Sequence, residues 1–146
     1  MRFSRRELAL LLPGLAAGGE QRAEDQQANE PLHSAGYDFA SLPERTSPNG
    51  KIKSRSVFRG VTTRGQRLTM HISELALGQA PHAPERQPHE EVIVIREGTL
   101  EATLNGKVVR LGPGSVIFSA YNELNGWRNV GTTPAQYYVL SLEEHS

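Results

Sequence analysis

Between Gly78 and Gly98 the chain places two histidines, His82 and His89, and the carboxylates Glu85, Glu90 and Glu91 within ten residues. Imidazole and carboxylate groups bind divalent cations, move protons or hydrogen-bond a polar ligand. Three prolines punctuate the stretch, which then runs directly into Val92-Ile93-Val94-Ile95. A loop rich in coordinating side chains, held by a stiff β-branched strand, is a common way to build a binding site. Other chemistries are excluded. With no cysteine among 146 residues, disulfides, thiolate nucleophiles, Fe–S clusters and Cys-type zinc sites cannot form. No Ser/His/Asp arrangement, phosphate loop or nucleic-acid motif is visible. A formal charge of zero gives no electrostatic reason to expect nucleic acid or an anionic membrane as partner.

The elements that must position these groups read as β. The Val92–Ile95 run is too short for a typical helix, and Gly98 permits a turn into the alternating Thr99–Leu104. Asn105-Gly106 is a strong signal for a tight hairpin turn, with Val108–Leu111 returning. Upstream, Ser56–Gly60 reads as a short strand. Leu68, Met70 and Ile72 alternate on one face of the next strand, and a register change at Leu75 and Leu77 suggests a bulge. His71 and Ser73 lie on the opposite face and receive no role. Downstream, Val116 and Phe118 mark a strand, Asn125–Val130 another, and Gln136–Leu142 closes the domain. Short strands parted by turn signals, with no helix beyond the leader, predict an all-β sandwich or small barrel.

The first nineteen residues read as an export signal. A basic start precedes a short apolar run, Leu8 to Ala17, and then small residues. The run is too short to span a bilayer, and Ser4-Arg5-Arg6-Glu7-Leu8 resembles the twin-arginine signal of bacteria. Its removal would take three arginines and one glutamate, leaving a small net negative charge. Residues 20–30 are almost entirely polar and read as a spacer. Residues 31–50 carry scattered anchors and form an arm, so that residues 20–50 precede a barrel domain over 51–146. The expected location is the periplasm or the exterior, with membrane contact only during export.

From about residue 55 to 142 the chain resembles the cupin family, single-domain jelly-roll β-barrels with one pocket inside. Glu91, the six residues Val92–Glu97, and Gly98 match the second half of the family's first motif, and Gly78 its start. Gly114 and Asn129 stand at the two ends of the second motif with the family's spacing. The resemblance implies a site built from two histidines and a glutamate of the first motif and a histidine of the second. Here the two histidine positions of the first motif hold Glu85 and Gln87, or Pro84 and Arg86 in the alternative register. The histidine position of the second motif holds Asn125. Of the four ligands only Glu91 remains.

Three readings of the pocket follow. Glu85, Gln87, Glu91 and Asn125 could converge as hard oxygen donors for Mg²⁺, Ca²⁺ or Mn²⁺ rather than iron, zinc or nickel. Alternatively His82 and His89 replace the lost histidines beside Glu91. In the third reading there is no metal, and the polar residues hydrogen-bond a small molecule, with Phe118 and Trp127 as possible stacking surfaces. The expectation is a small-molecule-binding barrel with a degenerate metal site, no cofactor and a homodimeric state; the three absent histidines weigh against enzymatic activity without deciding it. The alternative is a metal-dependent cupin enzyme, a dioxygenase or isomerase, built around Glu91.

Overall fold

Residues 28–144 are described by a computed structural model. The expected export segment over 1–19, and the spacer up to residue 27, lie outside them. Ten strands run in order: β1 Glu44–Thr46, β2 Ile52–Val61, β3 Arg67–Leu75, β4 Glu85–Arg86, β5 Glu90–Glu97, β6 Leu100–Leu104, β7 Lys107–Leu111, β8 Val116–Ser119, β9 Leu124–Asn129 and β10 Ala135–Glu143. They form a six-stranded sheet, β1-β2-β3-β10-β5-β8, and a four-stranded sheet, β4-β9-β6-β7. Every named pairing is antiparallel. The all-β architecture expected from the turn signals is the one observed, and its two antiparallel sheets agree with the jelly roll that the family resemblance implies. Its only helical piece among the described residues is a 3-10 turn at Phe39–Ser41.

Local sequence explains the corners. Asn105 and Gly106 both take positive φ, 46° and 85°, the pair of left-handed residues a two-residue hairpin between β6 and β7 requires. Other sequence boundaries move. The strand expected at 56–60 extends over ten residues, Ile52–Val61, and the bulge falls at Val57 rather than after Ile72. The polar spacer is packed at its end: Ala28 is buried, and the Glu30 carbonyl accepts from the Val61 amide at 2.9 Å. The arm then runs along β2, with the Tyr37 ring 5.6 Å from that of Phe58. The Phe39 ring lies under the guanidinium groups of Arg55 and Arg96, at 4.9 and 5.2 Å.

Residues directly opposed across antiparallel strands share a face, so the register sorts the six-stranded sheet. Inside the barrel, Leu75, Ala135, Tyr137, Val139, Ile93, Ile95 and Ile117 join Leu100, Ala102 and Trp127 of the facing sheet in one core. The other face is also apolar. Phe58, Met70, Leu140, Val92 and Phe118 form one continuous row across five strands, and Ile72, Tyr138, Val94 and Val116 form the next. The alternation of Leu68, Met70 and Ile72 therefore marks the outside of β3, whereas His71, Ser73 and Leu75 face in.

Candidate functional site

At one end of the barrel the inner face of the six-stranded sheet turns polar. Thr69, Ser141, Glu91 and Ser119 are paired in a single row across β3, β10, β5 and β8. Glu91 is 9 % exposed. Its Oε1 accepts from the Ser141 hydroxyl at 3.3 Å and lies 3.2 Å from His89 Nε2. These two residues sit two apart, and the strand begins at Glu90, so both reach the same side. Among the described residues Glu91 has no ion pair with lysine or arginine. It is a carboxylate taken largely out of water and held by the Ser141 hydroxyl and the His89 ring.

Asn125, on β9, is buried beside this row. Its Nδ2 donates to Ser119 Oγ at 3.0 Å, and its Oδ1 accepts the backbone N–H of Asn105 at 3.0 Å. Both ends of the amide are thus committed to the fold. Glu85 is directly opposite Asn125 in the β4–β9 pair, but it lies at the exposed edge. There Gln87 Nε2 donates to Glu85 Oε1 at 2.5 Å, and His82 Nδ1 is 3.2 Å from the same oxygen. So the candidate residues divide into two groups: His82, Glu85 and Gln87 outside, and His89, Glu91 and Asn125 inside.

Deeper in the barrel, Trp127 is 6 % exposed and its Nε1–H lacks a partner at hydrogen-bonding geometry. Its ring meets Tyr137 edge to face, with centroids 6.1 Å apart, and His82 at the same separation. Burial raises the Tyr137 phenol above its ordinary pKa, while the adjacent indole and the Ser73 hydroxyl pull the other way. His71 is the reverse case. Burial lowers its imidazole, and the nearby Glu91 carboxylate opposes that shift. His71, Ser73, Tyr137 and Ser141 are interior residues that the sequence reading passed over. A period-two count outward from Glu91 through its paired strands would have found them only with the register known.

Phe118 is a correction. It is 59 % exposed and pairs with Val92 on the outer face, while its neighbours Ile117 and Ser119 point inward. It does not line the pocket. Arg110 and Arg128 also belong outside, where both bond Glu101. The hydrogen bond from Arg128 is the main cause that holds the Glu101 carboxyl below its ordinary range.

The donor set does not suit a metal. The Asn125 amide is tied at both ends, to Ser119 and to Asn105, Glu85 and Gln87 bond each other at the edge, and His89 and Glu91 face one another. Among the described residues no group of three His, Asp or Glu side chains is arranged to hold an ion. A cavity of about 700 Å³ opens beside this end of the barrel, lined by Pro88, His89, Tyr121, Leu142 and three glutamates.

Residues 71–141 match the family model for a cupin domain. Among curated proteins no sequence match is found. Solved structures share the fold at low identity. An RmlC-like cupin from Shewanella frigidimarina superposes with a TM-score of 0.63 at 14 % identity, over 77 % of this chain and 95 % of that one. A predicted oxalate decarboxylase from Thermotoga maritima gives 0.63 at 15 %, over 75 % and 99 %. KdgF from a Halomonas species gives 0.62 at 15 %, over 75 % and 94 %. At such identities the likeness speaks for the fold alone.

Proposed function

We propose, for a chain that carries a cupin domain over residues 71–141, that the barrel binds a small polar molecule without a metal, in a protein exported from a bacterial cytoplasm. The observation that carries this reading is Glu91. A carboxylate oxygen accepts hydrogen bonds, and among the described residues this buried one meets the Ser141 hydroxyl and the His89 ring and no lysine or arginine. A ligand bearing hydroxyl or N–H donors would complete its bonding. The alternative, a metal-dependent dioxygenase or isomerase, would need side chains that are bonded to one another here. Export rests on the twin-arginine-like start, which supports a periplasmic or secreted location.

Trp127 is the only tryptophan in the chain, so its emission reports on the barrel interior alone. Titration of the purified protein with a panel of monosaccharides and small hydroxy acids is expected to find a compound that changes this emission saturably. In Glu91→Gln the same compound should bind about 10- to 100-fold more weakly, the loss of one hydrogen bond to a charged group. Equal affinity in the variant would remove Glu91 from the site and with it this reading.

A further inference from the structure

We infer that Arg59 anchors an acid group, so that the molecule bound beside Glu91 is a small carboxylic acid carrying hydroxyl groups; this rests on the reading of Glu91 as a ligand contact. Along β2 the inner face is marked by Ser54 and Ser56, opposite Ser73 and His71 of β3. Strict alternation would bring Phe58 inward next and turn Arg59 out. The bulge at Val57 reverses this. Phe58 pairs with Met70 on the outer face, and Arg59 with Thr69 on the inner one. Bulges re-aim side chains in this way next to functional sites. Past the bulge the strand is clamped from outside. A Cβ on Gly60 would lie 2.5 Å from the Glu30 carbonyl oxygen, which accepts from the Val61 amide at 2.9 Å. The backbone that carries Arg59 is thus held in place.

Register places Arg59, Thr69, Ser141 and Glu91 in one row across β2, β3, β10 and β5. A cation stands at one end, a carboxylate at the other, and two hydroxyls lie between. Three strand spacings separate the ends, about 14 Å between backbones, a gap for a molecule a few carbons long. The Arg59 Nε–H is buried without a hydrogen-bond partner, and no described residue pairs with its guanidinium. A cationic donor shut off from water and left unbonded is unfavourable, and an acceptor oxygen brought by a ligand relieves it. Arg67, the next arginine on this face, is taken: it donates to Asn29 Oδ1 at 3.0 Å and meets Glu143 at 3.8 Å. The planar fork of a guanidinium matches a carboxylate through two parallel hydrogen bonds. Hydroxyls at the far end of the same molecule then donate to Glu91. With Glu91 and Glu143 on one face, a singly charged carboxylate is repelled less than a doubly charged phosphate.

Titration of the purified full chain tests the inference, with Trp127 emission as the signal. The probes are three acids, D-gluconate, D-galacturonate and D-glycerate, each beside its uncharged counterpart, D-glucitol, D-galactose and glycerol. At least one acid is expected to bind saturably, and about tenfold or more tighter than its counterpart. Arg59→Gln should weaken that acid by about 10- to 100-fold and leave the counterpart unchanged. Arg59→Lys, which keeps the charge without the fork, should recover part of the loss. Glu91→Gln, by contrast, should weaken acid and counterpart alike. Circular dichroism of each variant checks that the domain is folded. An acid bound no better than its counterpart, or bound equally by Arg59→Gln, overturns the role of Arg59 and leaves the reading of Glu91 standing. Tighter binding of glucose 6-phosphate than of gluconate overturns the carboxylate. No emission change with any probe counts against the binding barrel itself, and the inference falls with it.

Discussion

Gly98→Ala is expected to destabilise the domain by about 4 kcal/mol, the sum of a left-handed backbone conformation forced on a residue with a Cβ and of overpacking in a closed core. Gly98 stands at the turn between β5 and β6 with φ of 82°. A Cβ built there would lie 2.7 Å from the Ala135 Cα, 2.8 Å from its Cβ and 3.0 Å from the Pro134 carbonyl oxygen. Two of those contacts are with backbone, and Ala135 is fully buried at the start of β10, so there is no flexible side chain to give way. For a domain of this size about 4 kcal/mol is a melting temperature lower by about 10 °C or more. Thermal and urea unfolding of the variant measure it. A loss below about 1 kcal/mol would mean that the β5–β6 corner can open away from β10, contrary to the packing described.

Asn129→Ala should cost about 3 kcal/mol, because it strips three hydrogen bonds from one buried side chain and leaves their partners in the protein interior. Asn129 has no exposed surface. Its Nδ2 donates to the carbonyl oxygens of Leu75 at 3.0 Å and Thr133 at 2.8 Å, and its Oδ1 accepts from the Gly131 amide at 2.9 Å. The amide therefore ties the end of β3 to the turn between β9 and β10. Backbone bonds from Gly78 and to Gln79 fasten the start of the His-rich loop at the same point. The variant should unfold at lower urea concentration, with the slope of the transition unchanged. An unchanged midpoint would show that water replaces the amide at no cost.

Gly98 and Asn129 were both legible as spacing: seven positions after Glu91 in one case, fifteen after Gly114 in the other. The Asn105-Gly106 turn was legible as chemistry, since few pairs accept two left-handed residues in succession. What the sequence hid was which side of a strand faces in. Alternation locates an apolar face, and in most antiparallel sheets there is one. Here there are two, so the alternation of Leu68, Met70 and Ile72 marks the outside of β3, and Phe118, expected as a stacking surface in the pocket, lies on the same outer face. The true interior of that strand carries His71 and Ser73, which alternation places opposite Met70 and Ile72 and to which it gives no role. The role of Asn125 was hidden for a different reason. Its position could be aligned, but its partners Ser119 and Asn105 come from other strands and turns, and only the fold shows both ends of its amide in use.

That occupied amide bears on the central claim, a polar barrel that works without a metal. Elemental analysis of protein purified without a histidine tag, alongside melting temperatures with added Mn²⁺, Mg²⁺, Ca²⁺, Zn²⁺, Ni²⁺ and Fe²⁺, tests it most directly, since an ion that binds only the folded chain must raise the melting temperature. The account predicts substoichiometric metal and no shift with any of the six. Near-stoichiometric metal, with a thermal shift from the same ion that is lost in Glu91→Ala, would contradict it and assign Glu91 to a metal centre.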